Sequence, residues 1–538
     1  MAEITAHRSH PLLYYYHNLA ERFMACPIPF HCLQPGSPQA SDIHLYHACD
    51  ILSGLLICGM VLFCPWAFGT TQPWAIWTMN LTGYALGLML LVKTWVRRWK
   101  GYLAARWEGT GQFGGNKNAG ERRAVLKVEW MLGGACGLLL LYVLVSALNA
   151  RATYVPSQLS FEYHWHVPWL PHSRDSLRTW QAFWRYLALA CTFWAIRDWL
   201  LGKSEAEDHR AGSGGYPAVP RNGILPFPRR LHLLLWLLAI NGGLLAVEGI
   251  VQRLEGSGRL LFLVHPRVNP AAETQFGPWA YRANAAAWFN LMWPVCLGFW
   301  WTLHHYGAHG KLRHHWLLLC ALLMAACPII STSRGGALVT FGLVTLALLY
   351  LLITTLFFRR SSQSWRSLAA CGLVLVFSVG ALGLGLKLGW KALGPRMAEL
   401  HSSAELREEM YSNARPMAWD YPIYGTGAGT FETVFQLYRV STDTYWPAQL
   451  HNDWLETRIT FGWSGSALIA LALGCVLARW FSPGGTHGGR RFVGLTWLAL
   501  AGCLVHARYD FPLQVYSVLF LFLLHCAMLT VLSRRPRG

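Results

Sequence analysis

Two arginines and one histidine lie next to or between long apolar runs of the sequence. Arg282 precedes a long apolar run, Arg334 separates two such runs, and His451 ends a long polar stretch just before another. A guanidinium group holds phosphate oxygens in a bidentate fork without needing a metal ion. A neutral imidazole accepts a proton from a hydroxyl group near pH 7. These residue types therefore predict a phosphate-binding site beside a base that activates a hydroxyl.

An arginine at the edge of a membrane span also has a simpler interpretation. Its long side chain often anchors the span at the lipid surface, and such anchors favour the cytoplasmic side. In the topology derived below, Arg282 and Arg334 lie on the opposite side. Ionisable residues that converge at a membrane edge are candidates for a functional site, so we expect a site and keep anchoring as the alternative.

The composition indicates which elements position these residues. Of the 538 residues, 54% are hydrophobic and only 13% are charged, whereas a soluble domain carries about a quarter charged residues. Apolar runs of roughly 20 residues, which suffice to cross a bilayer, recur along the chain. We expect an all-α polytopic membrane protein with about 12 transmembrane helices. The expected spans are 51–69, 74–95, 129–148, 180–201, 231–251, 284–303, 315–331, 335–357, 367–390, 457–480, 492–508 and 513–532.

The distribution of basic residues predicts the orientation of these spans. Lys and Arg concentrate within residues 97–127, 221–230, 311–313, 359–366, 490–491 and 534–537. With the N-terminus inside, all of these fall on the cytoplasmic side, where Lys and Arg normally collect. The net charge of +19 then reflects topology, and no nucleic-acid partner is expected. Residues 1–50 and 533–538 are expected in the cytoplasm, residues 51–390 and 457–532 in the membrane, and residues 391–456 in a loop outside.

This outer loop is too long to be a simple connection. Its apolar positions predict one helix over residues 396–418 and a second from Phe431 to Tyr438. Between them, Gly425, Gly427 and Gly429 interrupt regular structure. They predict a turn rather than a phosphate cradle, because no helix N-terminus with a lysine follows. We expect the loop to close over a site at the membrane surface. Residues 202–228 are expected to form a cytoplasmic linker.

Over roughly residues 230–530, the chain resembles the O-antigen ligase and polymerase superfamily. The similar pieces are Arg282-Ala283-Asn284, Ser333-Arg334-Gly335, the loop segment 422–431, the segment from His451 to Glu456, and Phe461-Gly462. Ala283 departs from the pattern, because the family often has proline or glycine before the asparagine. The resemblance implies a GT-C-like, metal-independent, inverting glycosyltransferase of the bacterial inner membrane. Such enzymes transfer a glycan from undecaprenyl diphosphate to an acceptor hydroxyl on the periplasmic face.

The resemblance also implies roles for individual residues. Arg282 and Arg334 bind the diphosphate, and His451 acts as the base or orients the acceptor. The residues expected to bind substrate are Asn284, Ser333, Arg407, Arg415, Asn452, Asp453, Glu456, His506 and Asp510. For Arg407, pairing with neighbouring glutamates is an alternative. Asp453 and Glu456 either orient His451 or cap the start of a helix, and Asp510 belongs either to the site or to the structural framework.

We expect no cofactor and no metal in the site. The chain lacks an Asp-x-Asp pair, which would grip a metal–diphosphate complex, and a nucleotide-binding Gly-x-x-x-x-Gly-Lys loop. Five histidines between positions 304 and 315 (His304, His305, His309, His314 and His315) are assigned to a cytoplasmic loop rather than to a metal site.

Several functions remain open at this stage. The acceptor is a glycan, the lipid A core or a protein hydroxyl, so ligase, polymerase and protein O-oligosaccharyltransferase all fit the same donor site. A transporter or flippase for lipid-linked glycans is the alternative from another class. It is disfavoured because transporters need polar groups or broken helices near the bilayer midplane, whereas the expected spans are nearly free of charge at their centres.

Overall fold

The computed structural model describes residues 39–106, 119–203, 227–306, 312–357, 364–440, 447–480 and 489–532. Most of the N-terminal segment, most of the expected linker at 202–228, His309 and the C-terminal tail lie outside these ranges. The described chain is nearly all helical. In chain order the helices are α1 (Ala40–Trp66), α2 (Pro73–Trp99), α3 (Ala119–Leu148), α4 (Ser176–Leu201), α5 (Arg229–Glu255), α6 (Arg282–Tyr306), α7 (Trp316–Ile330), α8 (Arg334–Phe357), α9 (Ser364–Ala398), α10 (Leu400–Asp420), α11 (Phe431–Val434), α12 (Asp453–Trp480), α13 (Arg490–His506) and α14 (Tyr516–Leu532).

Every expected span coincides with one of these helices. Among the described residues, seven helices are long and apolar enough to cross a membrane, namely α1, α2, α3, α5, α8, α9 and α12. Helices α7 and α14 are apolar but shorter. Exposed leucines such as Leu55, Leu81 and Leu91 lie on the outer faces of the long helices, as expected for contact with lipid. The fold is that of a multi-pass membrane protein, and the total of about 12 spans stays a prediction.

The connection between α3 and α4 contains a hairpin that the sequence did not predict. Strands β1 (Ala152–Val155) and β2 (Ser160–Tyr163) pair antiparallel, with Ala152 opposite Tyr163. Each strand has four residues, too few for a clear alternating pattern.

Helix α6 forms the centre of the helix bundle. All residues from 283 to 303 are buried, and Phe289, Phe299 and Trp300 have no measurable exposure. The helix packs against α5, α7, α8, α13 and α14. Because α6 is enclosed by protein, its first residue, Arg282, has a well-defined position relative to the surrounding helix ends.

Helix α12 is broken at Gly462, where the outer loop inserts. Gly462 has φ 60° and ψ −165°, a backbone conformation that is essentially restricted to glycine. The loop satisfies backbone groups at the break: the Gly427 N–H donates to the Thr460 carbonyl over 3.0 Å. A Cβ atom on Gly425 would lie 2.5 Å from the Gly462 nitrogen. The glycine run therefore forms a turn, as the sequence predicted, and the structure shows that this turn docks the loop onto α12.

Helix α9 extends further than the sequence predicted. The apolar run ends at Trp390, but the helix continues to Ala398, because backbone hydrogen bonding does not depend on apolar side chains. The loop helix expected from residue 396 accordingly begins at Leu400. The extension brings Arg396 to the turn between α7 and α8, where its guanidinium donates to the Thr332 carbonyl.

A buried ionic cluster lies at the other end of the bundle from Arg282. The Lys93 ammonium is 2.6 Å from Asp50 and 2.7 Å from Asp198. Arg97 and Arg106 each lie 2.7 Å from Asp198, and Arg230 lies 2.5 Å from Asp50. The cluster ties α1, α2, α4 and α5 together, along with the segment that follows α2.

Candidate active site

The site is built around the tight turn between α7 and α8. Ser331, Thr332 and Ser333 are all buried, and Thr332 adopts a left-handed backbone with φ 61°. The Ser333 hydroxyl accepts a hydrogen bond from the Gly336 N–H at 3.2 Å, which caps the start of α8. As a result, Arg334 is the first residue of α8 and lies at the surface of the bundle.

A cavity of about 60 Å³ lies beside this turn and is strongly basic. Its lining consists of Tyr281, Arg282, Ala283, Ser333, Arg334, Gly335, Arg396, Arg407, Tyr509 and Asp510. Four guanidinium groups thus face a single carboxylate. Such a surface favours an anion, and guanidinium forks match the geometry of phosphate oxygens.

Neutral oxygens hold two of these arginines in place. The Thr332 hydroxyl lies 3.5 Å from Arg282 Nη1 and 3.4 Å from Arg396 Nη1. Arg282 also donates to the carbonyl of Glu273. Within the described ranges neither Arg282 nor Arg396 forms a salt bridge, so these contacts orient the guanidinium groups without neutralising them. Arg334 donates to the carbonyl of Arg396 over 3.2 Å, which brings the three arginines together.

His451 forms a pair with Asp510 next to this cavity. The two side chains meet at 3.1 Å, from His451 Nδ1 to Asp510 Oδ1. His451 has a left-handed backbone with φ 57°, and its carbonyl accepts a hydrogen bond from the Tyr411 hydroxyl at 2.8 Å. The imidazole is 21% exposed. The ring is therefore oriented by the protein but still accessible to a substrate.

Asp510 connects the histidine to the basic cavity. Its second oxygen accepts a hydrogen bond from the Tyr281 hydroxyl at 3.1 Å and lies 3.9 Å from Arg407. Burial alone would raise the pKa of the Asp510 carboxyl. The hydrogen bond with His451 and the electrostatic interactions with His451, His506 and Arg407 outweigh burial and lower that pKa. An ionised Asp510 accepts the Nδ1 proton of His451, which leaves Nε2 with a free lone pair.

A second, more open cavity lies beside Asn452, the residue that follows His451. It measures about 270 Å³ and is lined by Tyr411, Arg415, Asn452, Trp454, Leu455 and Arg508. Asn452 follows His451 in the chain, and Tyr411 binds the His451 carbonyl. His451 lines neither cavity itself, but its partner Asp510 lines the basic one, and Asn452 and Tyr411 line the larger one.

The structure divides the expected site residues into two groups. Arg282, Ser333, Arg334, Arg407 and Asp510 line the basic cavity, and Arg415 and Asn452 line the larger one. Arg407 contacts Asp510 and the Tyr509 carbonyl, rather than the glutamates considered as alternatives. Arg415 instead pairs with Glu408 near the surface.

The remaining expected residues are buried behind the cavities. Asn284, Asp453, Glu456 and His506 are at most 5% exposed and line neither cavity. Asp453 accepts the Leu513 N–H at 2.8 Å, and Glu456 accepts the Leu450 N–H at 2.8 Å. In the described contacts, Glu456 thus holds the backbone next to His451, Asp453 holds the connection between α13 and α14, and Asp510 orients the His451 ring. The imidazole of His506 packs near Gly335, which leaves little room for a larger residue there.

Three polar residues of the basic cavity were missed in the sequence. Arg396 lay beyond the expected end of a span, although it is a basic residue on the side predicted to be outside. Tyr281 directly precedes Arg282, and its side chain binds Asp510. Tyr509 precedes Asp510 and supplies a carbonyl to Arg407. The two tyrosines could have been found in the sequence because each directly precedes a predicted site residue.

Residues 319–470 match the model of the O-antigen ligase family. This stretch includes Arg334, Arg396, Arg407 and His451, while Arg282 and Asp510 lie outside it and complete the same cavity. A comparison with curated proteins gives no match. The match at residues 319–470 thus supports the resemblance of this part of the chain to the O-antigen ligase and polymerase superfamily.

Proposed function

We propose that this protein is an O-antigen ligase-like glycosyltransferase. It transfers a glycan from undecaprenyl diphosphate to an acceptor hydroxyl at the periplasmic face of the inner membrane. The observation that carries the proposal is the His451–Asp510 pair: Asp510 lines a cavity with four arginines, and Asn452, the residue after His451, lines a larger open cavity.

The basic cavity receives the diphosphate of the donor. Arg282 and Arg334 bind its oxygens, and Arg396 contributes a third guanidinium. Negative charge grows on the diphosphate as the bond to the sugar breaks, so fixed positive charge stabilises the transition state more than the ground state. The arginines supply the charge that a divalent metal supplies in other enzymes, which supports a metal-independent reaction.

His451 activates the acceptor. With Nδ1 bonded to Asp510, Nε2 takes the proton of the acceptor hydroxyl while the hydroxyl oxygen attacks the anomeric carbon. The attack comes from the face opposite the diphosphate and inverts the configuration of that carbon. Asp510 stabilises the imidazolium that forms and holds the ring in place.

The larger cavity receives the acceptor. Tyr411 and Trp454 offer aromatic faces for sugar rings, and Asn452, Arg415 and Arg508 offer hydrogen-bond donors. The outer loop that contains α10 and α11 forms one wall, and we assign the choice of acceptor to it. The expected topology of about 12 spans puts both cavities on the periplasmic side, opposite the basic cytoplasmic clusters.

The interior of α6 supports transfer over transport. Asn290 is the polar group near its middle, and internal partners satisfy it: it donates to the Gly336 carbonyl at 3.0 Å and accepts from the Thr340 hydroxyl at 2.8 Å. A transporter needs polar groups available to a substrate near the midplane.

Two alanine variants test the proposal. Arg334→Ala and His451→Ala should insert and fold normally but lose at least about 99% of transfer, since each removes a group that acts in the transition state. The measurement is glycan transfer by purified protein, from an undecaprenyl-diphosphate donor to a defined acceptor. Arg267→Ala, an exposed arginine in the α5–α6 connection, serves as the control and should transfer normally.

Unchanged transfer in both variants contradicts the proposal.

Deleting the gene distinguishes the related activities. Long lipid-linked chains that stay unattached indicate a ligase, and single repeat units on the acceptor indicate a polymerase. Accumulation of lipid-linked glycan on the cytoplasmic leaflet indicates a flippase and rejects the enzyme assignment.

A further inference from the structure

A group of histidines lies at the end of α6 opposite Arg282. His304 is in the last turns of α6, and His314 and His315 are in the short 3₁₀ turn that leads into α7. At a rise of 1.5 Å per residue, about 33 Å of helix separates His304 from Arg282. The group is therefore remote from the proposed active site, and nothing in the proposed reaction uses it.

The three rings converge in the manner of metal ligands. One nitrogen from each ring can be chosen such that all three lie within 4.8 Å of one another. His304 Nδ1 and His314 Nε2 are 3.3 Å apart. In a tetrahedral zinc site with Zn–N bonds of about 2.0–2.1 Å, two ligand nitrogens are separated by about 3.3 Å. The third nitrogen lies within 4.8 Å of both.

The surroundings hold the rings in this arrangement. Trp300 is fully buried, and its indole stacks on His304 with centroids 5.2 Å apart and planes at 20°. The centroid of His315 lies 6.2 Å from the same indole. All three histidines are half-buried, so the rings are restrained on the protein side and reachable by a solvated ion.

The neighbouring His305 points elsewhere. Its Nε2 lies 2.9 Å from the Ser367 hydroxyl, and its ring stacks on Trp301 with centroids 5.0 Å apart. His305 therefore joins α6 to α9 and is a matched control for its neighbour in the same helical turn.

We propose that His304, His314 and His315 bind one divalent transition-metal ion of the zinc class. Imidazole ligands suit Zn²⁺, Cu²⁺ and Ni²⁺, and three protein ligands leave a fourth position for water. From the sequence alone, all five histidines of this region are assigned to a cytoplasmic loop and a metal site is disfavoured. The structure instead places His304 within a helix, where α6 and the 3₁₀ turn present the three rings to one point.

Metal binding to the full-length protein tests this site directly. The protein is purified in detergent without a polyhistidine tag, stripped with a chelator and titrated with Zn²⁺, and the bound metal is quantified by elemental analysis. We expect one equivalent per chain. His304→Ala and His314→Ala should each abolish this stoichiometric binding, and His305→Ala should retain it.

Substitution with Co²⁺ adds a readout that does not depend on the alanine variants folding. Wild-type protein should give the intense visible absorption of tetrahedral Co²⁺. His314→Cys should keep the metal and add a sulfur-to-cobalt charge-transfer band. The site is rejected if wild-type protein binds no more Zn²⁺ than a His304/His314/His315 triple-alanine variant, or if wild-type Co²⁺ shows only the weak octahedral spectrum. Equal loss of metal in His305→Ala also rejects it.

Discussion

At the level of single residues, Asp510 accepts hydrogen bonds from both sides of the site. One oxygen meets the imidazole of His451 and the other meets the hydroxyl of Tyr281. Burial raises the pKa of the Tyr281 hydroxyl, which keeps it protonated as a donor to the carboxylate. These contacts link the proposed base to the wall of the proposed phosphate site.

Replacing Asp510 by asparagine should slow transfer while leaving the shape of the site intact. The amide cannot stabilise the imidazolium or select the tautomer with a free Nε2, so we expect the rate to fall by about 10²–10⁴-fold. The measurement is the initial rate of transfer at saturating donor, together with its pH profile.

Asp420→Asn is the control for this variant. Asp420 also accepts a tyrosine hydroxyl, that of Tyr438 at 2.6 Å, but lies away from both cavities. The transfer rate of the Asp420→Asn variant should stay near that of the wild type. A normal rate in Asp510→Asn would show that this carboxylate is part of the framework alone.

At the level of elements, the break in α12 depends on one glycine. An added Cβ on Gly462 would lie 2.3 Å from the Ile423 carbonyl oxygen, and the backbone at this position suits only glycine. We expect Gly462→Ala to cost roughly 1–3 kcal/mol from backbone strain alone, with a further cost from the close contact. The measurement is the midpoint of thermal unfolding in detergent.

Gly474→Ala is the matched control in the same helix. A Cβ at Gly474 meets no described atom within 4 Å, and alanine favours a helix over glycine by roughly 0.5–1 kcal/mol. Its unfolding midpoint should stay level or rise slightly. A similar fall in both variants would contradict the docking of the glycine turn at the break.

The sequence predicted elements better than the contacts between them. Apolar runs located the helices because membrane burial demands continuous apolar surface. The end of α9 was missed because Lys391 and Arg396 end the apolar run while the helix continues. For the same reason, the place of Arg396 in the cavity was missed. The pairing of His451 with Asp510 joins residues 59 positions apart, and no local pattern carries that information.

At the level of the whole molecule, the ionic cluster around Asp198 holds the helices together at the end opposite the cavities. Asp198→Asn would leave Lys93, Arg97 and Arg106 facing one another without their shared counter-ion. Removing one partner of a buried ion pair costs about 3–5 kcal/mol. We therefore expect a large fall in thermal stability, measured by the loss of monodisperse protein on heating.

Lys100→Met provides the comparison. Lys100 lies 3.5 Å from Asp42 and its side chain is 38% exposed, and such surface pairs contribute about 0–1 kcal/mol. Its stability should match that of the wild type. If Asp198→Asn is equally stable, the cluster does not hold the bundle together.

The enclosure of α6 has a consequence for how the chain tolerates insertions and deletions. One extra residue near the middle of this helix would rotate one end against the other by about 100° and shift it by about 1.5 Å. Because α6 is surrounded by protein, it has no lipid-facing surface on which this rotation and shift could be accommodated. A change of one residue within α6 would therefore move Arg282 out of register with the turn that holds Arg334.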